Sequence, residues 1–214
     1  MKKLGYGILA ITVSLTASIA SATGAPHGIR GQDMRSAFMR VYGEALPPIG
    51  HVGFCRRHPA ECRRQAAKAM RLGMTEGRKQ DLQFVNDMVN RMVKPVSDQD
   101  LYGRIEHWTY PAGSGDCEDY VLLKSRLLLE RGWPQSALLI TVVRDENNEG
   151  HAVLTVRTPQ GDYVLDNKRP EVLRWNRTGY SFVKRQSSRD PRSWVSLAPS
   201  DAPRAAPISG TRSN

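Results

Sequence analysis

Apolar residues recur on one helical face in two segments of the chain, and a helix breaker follows each segment. The first segment spans residues 78–93, ahead of Pro95, and carries Leu82, Val85, Met88, Val89 and Met92. The second spans residues 117–131, ahead of Gly132, and carries Tyr120, Val121, Leu123, Leu127 and Leu128. Because residues three and four positions apart share one face of a helix, both segments are predicted helices. Shorter helices are predicted over residues 34–42 and 61–72.

Three runs of apolar and β-branched residues follow the second helix and predict β-strands. Residues 137–143 are almost continuously apolar, and every second residue is apolar in residues 151–157. A polar turn over residues 145–150 separates these two strands, and Thr-Pro-Gln-Gly at 158–161 precedes a third strand over residues 162–166. Short turns between neighbouring strands favour antiparallel pairing. The predicted fold class is therefore α+β, with N-terminal helices followed by an antiparallel sheet.

The first residues have the pattern of a targeting segment. Lys2 and Lys3 precede a mostly apolar stretch over residues 4–19, and Ala-Ser-Ala at 20–22 is a small-x-small cleavage site. We therefore expect a signal peptide over residues 1–22 and an exported protein. An uncleaved membrane anchor is the alternative, but the stretch is short for a membrane span and is interrupted by small residues. After cleavage we expect no embedding in the membrane.

The remaining chain divides into a globular part and a polar end. The composition over residues 23–185 suits one folded domain, and the chain beyond residue 185 is polar and then rich in Ala, Pro and Ser. We expect one domain over residues 23–185 and a disordered tail over residues 186–214. The formal net charge is +10, which would fit a nucleic acid or an acidic surface as partner. Basic residues are spread along the chain without a nucleic-acid motif, so we expect no nucleic-acid partner.

The three cysteines fall into a close pair and a single residue. Cys55 and Cys62 flank a Pro-containing turn, and in an oxidising compartment a short-loop disulfide is the simplest interpretation. A metal site that includes the nearby His51 and His58 is the alternative, but the spacing matches no standard zinc motif. Cys117 is left as the odd thiol. An unpaired thiol in an exported protein is a candidate reactive group.

Cys117 occupies the predicted start of a helix, directly after Gly-Ser-Gly-Asp at 113–116. Free backbone N–H groups and the positive end of the helix dipole stabilise a thiolate at such a position. The same N–H groups can bind an oxyanion in a transition state. The alternative is a buried, inert thiol on a packed helix. The glycines and the flanking acids at 116, 118 and 119 argue against burial of this first turn.

A nucleophilic cysteine needs a base, and the base needs an orienting group. His151 opens the second predicted strand directly after a turn, and Asp166 ends the third strand. A two-residue loop at 159–160 would place Val153 opposite Asp166, with His151 as its diagonal neighbour on the same face. A bulge at Gly161 would shift this register. The alternative roles are a structural histidine and a turn-forming aspartate.

The segment Gly-Asp-Cys-Glu-Asp-Tyr at 115–120, followed by Lys124 and a Leu-rich helix, resembles the nucleophile segment of the bacterial transglutaminase-like cysteine proteinase family, whose LapG-like members are periplasmic proteases. The resemblance covers about residues 46–185. Its other parts are Val85-Asn86, Val89-Asn90, residues 98–103, His107-Trp108, residues 150–154 and residues 163–167. Cys55 and Cys62, with their neighbours, also resemble the cysteine pair of many exported relatives.

The resemblance implies a papain-like, transglutaminase-like core with the nucleophile at a helix N-terminus. It assigns Cys117 as nucleophile, His151 as general base and acid, and Asp166 as the residue that orients the histidine. LapG-like members depend on calcium, which makes Asp116 and Glu118 candidate calcium ligands. Two carboxylates fall far short of a full calcium shell. The alternative is that Asp116 caps the helix and Glu118 is a favourable first-turn acid.

The function that these residues predict is an exported, periplasmic cysteine endopeptidase. A LapG-like role would be the processing of a cell-surface adhesin under the control of an inner-membrane regulator. One alternative is a protein acyl transferase, which resolves the same acyl enzyme with an amine and forms a crosslink. A second alternative is a catalytically inactive periplasmic binding module. A zinc hydrolase that uses Cys, His and Asp as ligands fits the residue order less well.

Overall fold

The computed structural model describes residue 1, residues 37–64 and residues 69–199. Apart from Met1, the expected signal peptide lies outside the described residues, as do residues 200–214 of the expected tail. In the described part of the chain, no helix is both long enough and apolar enough to cross a membrane.

Four α-helices and nine short or medium strands form the described domain. The helices are α1 (Ile49–Arg57), α2 (Glu76–Met92), α3 (Asp98–Tyr102) and α4 (Cys117–Glu130), with 3-10 turns at Gln135–Ala137 and Trp175–Arg177. The strands are β1 (Gly43–Ala45), β2 (Lys94–Pro95), β3 (Ser114–Gly115), β4 (Leu138–Arg144), β5 (Gly150–Thr158), β6 (Gly161–Leu165), β7 (Leu173–Arg174), β8 (Ser181–Gln186) and β9 (Trp194–Ser196).

Helix α2 follows from the pattern predicted for residues 78–93. Thr75 caps its N-terminus, since the threonine side chain accepts a hydrogen bond from the Arg78 backbone N–H. Its buried face carries Leu82, Val85 and Val89, which pack in the main core. The helix ends before Pro95, which cannot continue a helical hydrogen-bond ladder.

Helix α4 is the central helix of the domain, and it lies between α2 and the sheet. It contacts α2 on one side and β4 and β5 on the other. Tyr120, Val121 and Leu128 are buried in the core, and Gly132 follows the helix with a positive φ of 81° that favours glycine. This packing holds the first turn of α4 against β5.

Seven strands form an antiparallel sheet in the order β1-β9-β8-β4-β5-β6-β7, and β2 and β3 form a separate parallel pair. The β5–β6 hairpin turns through two residues, with Thr158 opposite Gly161 and Leu154 opposite Leu165. This is the register that the sequence predicts, and Gly161 introduces no shift in it. Helices packed on an antiparallel sheet confirm the α+β fold class.

Two of the shorter predicted helices are wrong in the described part of the chain. Residues 34–36 of the segment 34–42 lie outside the described range, and residues 37–42 form a turn and extended chain that leads into the edge strand β1. The Tyr42 N–H donates to the Ser196 carbonyl of β9, so this segment pairs with a distant strand instead of coiling. The described residues of the segment 61–72 form a turn and extended chain after the disulfide, with residues 65–68 outside the described range. Local composition favoured helix at both places, and distant pairing and the disulfide turn overrode that preference.

The sheet also continues past the expected domain boundary at residue 185. Strand β8 ends at Gln186, and β9 pairs with both β8 and β1. Trp194 in β9 is 2% exposed and belongs to the main core. The buried tryptophan explains why this polar stretch is ordered, since it anchors the last strand to the hydrophobic interior.

Candidate active site

Cys55 and Cys62 are joined in a disulfide, with their Cα atoms 5.5 Å apart, as the sequence predicts. The disulfide links α1 to the turn that follows it. His51 lies within 4.8 Å of both sulfur atoms, but the sulfurs are bonded to each other and are not available to a metal. Burial lowers the pKa of His51 to about 4, so this histidine is a neutral core residue.

Cys117 is the first residue of α4 and the free cysteine of the chain. Strands β3 and β2 pair just before it and fix the approach of the chain to the helix. At Gly115 a Cβ atom would lie 2.6 Å from the Asp119 carboxylate, so only glycine allows this turn to pack so closely. The Cys117 side chain is 7% exposed, and its Sγ lies 3.3 Å from Glu118 Oε2.

The first turn of α4 is buried, contrary to the expectation from its acidic residues. Glu118 and Asp119 are both fully buried beneath the segment that contains α3 and residues 103–109. Asp119 Oδ1 accepts a hydrogen bond of 2.8 Å from the Thr109 N–H, which ties that segment to the helix. Asp119 therefore satisfies a backbone N–H group inside the fold, a role that composition alone does not reveal.

Burial raises the pKa of the Cys117 thiol well above its ordinary value, and the Glu118 and Asp116 carboxylates raise it further. A hydrogen bond from the Ala152 backbone N–H acts in the opposite direction. The sequence predicts a thiolate stabilised by the helix N-terminus. In the described structure, burial and the neighbouring carboxylates oppose that effect and favour the protonated thiol.

His151 is the second residue of β5, and its Nε2 lies 2.8 Å from Asp166 Oδ1. Both side chains are almost fully buried, with 1% and 2% exposure. Burial by itself raises the pKa of Asp166, but hydrogen bonds from His151, Tyr180 and the Lys168 N–H outweigh it and lower the pKa to about 2. Asp166 is thus an anion at any ordinary pH.

The three predicted catalytic residues meet at one junction of the fold. Ala152 follows His151 in β5, and its N–H group donates to Cys117 Sγ, so the start of α4 lies against the start of β5. Strand β6 brings Asp166 alongside β5. The junction therefore contains a thiol, an imidazole and an ionised carboxylate.

A cluster of three carboxylates adjoins the thiol. One ligand oxygen each from Asp98, Asp116 and Glu118 lies within 4.8 Å of the others. The sequence predicts Asp116 and Glu118 as calcium ligands, but it does not single out Asp98, which comes from α3 nearly twenty residues earlier. The resemblance over residues 98–103 is the signal that could have found it.

The cluster has unused hydrogen-bonding capacity. Asp98 Oδ1, Asp116 Oδ1 and Glu118 Oε1 are buried and have no hydrogen-bond partner among the described residues. Asp116 occupies the N-cap position of α4, but its side chain makes no capping hydrogen bond to the helix, and its Oδ2 accepts instead from the Asp98 N–H. Burial raises the pKa of all three carboxyl groups, and their mutual repulsion adds to this for Asp98 and Glu118. Unpartnered hard oxygen donors of this kind fit a calcium ion.

Sequence reasoning missed the buried polar groups behind Asp166. Asn86 Oδ1 accepts hydrogen bonds from the Asp166 N–H at 3.1 Å and from Lys124 Nζ at 2.8 Å. Both Asn86 and Lys124 are fully buried. The available signal was a polar residue at a core position of each helix, because such residues need a partner inside the fold.

Comparisons with known proteins identify a family and several similar structures. The family model for bacterial transglutaminase-like cysteine proteinases matches residues 41–202. The calcium-bound structure of LapG from Legionella pneumophila is 24% identical with a TM-score of 0.48, and the match covers 58% of this chain and 72% of that one. The EGTA-treated LapG structure from the same organism is 27% identical with a TM-score of 0.44, covering 50% of this chain and 62% of that one.

This chain thus spans less than two thirds of the EGTA-treated LapG chain. No curated protein matches it significantly. The family model nevertheless matches well over half of the chain and includes every residue of the junction. The chain belongs to the bacterial transglutaminase-like cysteine proteinase family.

Proposed function

We propose that the protein is an exported cysteine endopeptidase in which Cys117, His151 and Asp166 form the catalytic triad. The observation that carries this proposal is the buried 2.8 Å contact between His151 Nε2 and Asp166 Oδ1, next to the free thiol at the start of α4. Nucleophile, base and orienting carboxylate are the three parts that covalent acyl-transfer catalysis needs.

A carboxylate only accepts hydrogen bonds, which supports one placement of the proton on the imidazole ring. His151 donates its Nε2 proton to the Asp166 carboxylate, so its other ring nitrogen, Nδ1, carries the lone pair. This nitrogen takes the proton of the Cys117 thiol while the sulfur attacks the peptide carbonyl. The imidazolium then gives the proton to the leaving amine as the C–N bond breaks, and water hydrolyses the thioester to release the acid and the thiol. The N–H groups at the start of α4 are available to the oxyanion.

We further propose that Asp98, Asp116 and Glu118 hold a calcium ion. Their buried, unpartnered oxygens support this assignment, and so does the chemistry of three hard donors. A bound cation supplies positive charge that offsets these carboxylates. Glu118 accepts the Cys117 S–H at 3.3 Å and also belongs to the cluster, so occupation of the cluster bears directly on the state of the thiol.

The family resemblance supports a narrower proposal for the biological role. We propose that the protein acts in the periplasm on a cell-surface adhesin and that an inner-membrane regulator controls it. The targeting pattern of residues 1–22 and the disulfide between Cys55 and Cys62 are consistent with an oxidising compartment.

A product assay tests the proposed activity. The mature protein is incubated with a proteome-derived peptide library in calcium, with and without an added primary amine, and new termini are identified by mass spectrometry. We expect new carboxyl termini that require Cys117, with Cys117→Ala as the control. Amine-capped products in place of free acids would indicate acyl transfer. The absence of any product that depends on Cys117 would contradict the peptidase proposal.

A further inference from the structure

Both oxygens of the Asp166 carboxylate have partners, and the two oxygens serve different purposes. Oδ1 accepts from His151 Nε2 at 2.8 Å and from the Lys168 N–H at 2.9 Å. Oδ2 accepts from the Tyr180 hydroxyl at 2.6 Å. Tyr180 therefore holds the side of the carboxylate that faces away from the histidine.

The backbone of Asp166 is anchored separately, from helix α2. Asn86 Oδ1 accepts the Asp166 N–H at 3.1 Å, and Asn90 Nδ2 donates to the Asp166 carbonyl at 2.9 Å. These contacts fix the main chain but leave the carboxylate free to turn about its Cβ–Cγ bond. The energy of rotation about such a bond to an sp² carbon has broad, roughly two-fold minima. An external contact is therefore needed to select one orientation of the carboxylate.

Tyr180 is built into the fold in a way that suits this task. It is 8% exposed, and its backbone N–H donates to Thr178 Oγ1 at 3.2 Å. Its ring meets the His151 ring edge-on, with centroids 5.8 Å apart and an interplanar angle of 84°. The Arg169 guanidinium lies 5.4 Å above the tyrosine ring, with its Nε 3.4 Å from the hydroxyl. One phenol thus contacts both members of the His151–Asp166 pair.

The chemistry of the hydroxyl makes it a permanent donor. Burial, together with the hydrogen bond to Asp166, raises the pKa of Tyr180 above its ordinary value. The phenol therefore stays protonated at any working pH and gives up no proton during a reaction. Its contribution is orientation.

We propose that Tyr180 is a positioning residue of the hydrolytic site, whose hydroxyl locks the Asp166 carboxylate so that Oδ1 stays directed at His151 Nε2. This inference rests on the proposed triad. The imidazole is held in turn with Nδ1 available to the Cys117 thiol. Without the hydroxyl, the carboxylate samples orientations in which His151 loses its partner.

The test uses Tyr180→Phe, which keeps the ring and removes only the hydroxyl. The control is Tyr163→Phe, which removes a hydroxyl from the neighbouring strand β6 but leaves the contacts of Asp166 intact. With calcium present, we expect Tyr180→Phe to slow alkylation of Cys117 by iodoacetamide about tenfold, the scale of one lost hydrogen bond to a charged group. Tyr163→Phe retains the wild-type rate.

A spectroscopic readout separates positioning from a general loss of structure. In protein labelled with ¹⁵N-histidine, we expect a downfield Nε2–H proton resonance that is absent from His151→Ala and broadened in Tyr180→Phe. Should Tyr180→Phe fail to fold, fluorotyrosine at position 180 keeps the shape and changes only the acidity of the hydroxyl. That replacement should shift the same resonance.

An unchanged alkylation rate and an unchanged resonance in Tyr180→Phe would overturn the positioning role. Slow alkylation in His151→Ala with a normal rate in Tyr180→Phe would support the triad and contradict only the role of Tyr180. An alkylation rate that is unchanged in His151→Ala would contradict the triad itself, and therefore also the proposal for Tyr180.

Discussion

At the scale of single residues, Cys117 is placed between opposing influences. The start of α4 and the Ala152 N–H favour the thiolate, whereas burial and the Glu118 and Asp116 carboxylates favour the thiol. Glu118 is the decisive neighbour, because its Oε2 lies 3.3 Å from Cys117 Sγ while its Oε1 has no hydrogen-bond partner in the described structure. The charge state of one carboxylate therefore bears on the reactivity of the nucleophile.

Replacing Glu118 tests this dependence. Glu118→Gln keeps the shape and removes the charge, so in calcium-free protein we expect alkylation of Cys117 near pH 7 to speed up on the order of tenfold. Addition of calcium should then change the rate little, whereas it should accelerate alkylation of the wild type. Asp100→Asn in the neighbouring helix α3 is the control, and it should respond to calcium as the wild type does. A Glu118→Gln variant with a full calcium response would contradict the role given to this carboxylate.

At the scale of secondary-structure elements, helix α2 supports the loop that follows β6. Asn86 links the two, since its Nδ2 donates to the Arg169 and Pro170 carbonyls while its Oδ1 accepts from Asp166 and Lys124. Burial lowers the pKa of Lys124 to about 7. The ammonium depends on Asn86, because a buried charge without a partner is costly.

Removing this link should destabilise the domain. Asn86→Leu leaves Lys124 buried without its hydrogen-bond acceptor, and we expect the free energy of unfolding in urea to fall by about 3 kcal/mol at pH 6. The loss should be smaller at pH 9, because Lys124 then sheds its proton in the folded state. Adding Lys124→Met should recover much of the stability, and Arg91→Ala on the exposed face should change it by less than about 0.5 kcal/mol. If the double variant Asn86→Leu/Lys124→Met is as unstable as Asn86→Leu alone, the buried ammonium is not the cause of the lost stability.

The same elements illustrate what the sequence predicts well and what it does not. The β5–β6 hairpin, with the Asp166 register, follows from alternation and from the turn at 158–161, because both signals are local. Strands β1 and β9 are three residues each and pair across about 150 positions, so no local pattern marks them. Asp98 and Tyr180 were missed for the same reason. Each reaches the site through a tertiary contact, and each is an unremarkable polar residue in its own segment.

At the scale of the whole molecule, stability and cation binding should be linked through pH. Burial raises the pKa of Asp98, Asp116 and Glu118, and it raises the pKa of Asp119 to about 8. When the pKa of a carboxyl group is higher in the folded than in the unfolded state, the group stabilises the fold, and this stabilisation is complete below the unfolded-state pKa near 4. That contribution is lost as the pH rises through the folded value. Asp119 therefore destabilises the calcium-free protein progressively between about pH 4 and pH 8, and the raised pKa of each of the other three groups acts in the same direction.

Calcium should reverse this trend, since cations and protons compete for the same oxygens. We expect saturating calcium to raise the thermal midpoint more at pH 7.5 than at pH 5, as measured by calorimetry against EGTA-treated protein. Asp98→Asn should reduce the increase strongly at both values. An increase that is independent of pH, or one that survives Asp98→Asn unchanged, would count against a calcium site at these residues.

The reactivity of Cys117 is the most direct test of the proposed triad. The measurement is the second-order rate constant for alkylation by iodoacetamide near pH 7 with calcium present, in wild type, His151→Ala and Asp166→Asn. We expect fast alkylation of the wild type, a loss of about a hundredfold in His151→Ala and an intermediate rate in Asp166→Asn. A slow wild-type rate that is the same in all three proteins would contradict the triad and would favour a binding module without catalytic activity.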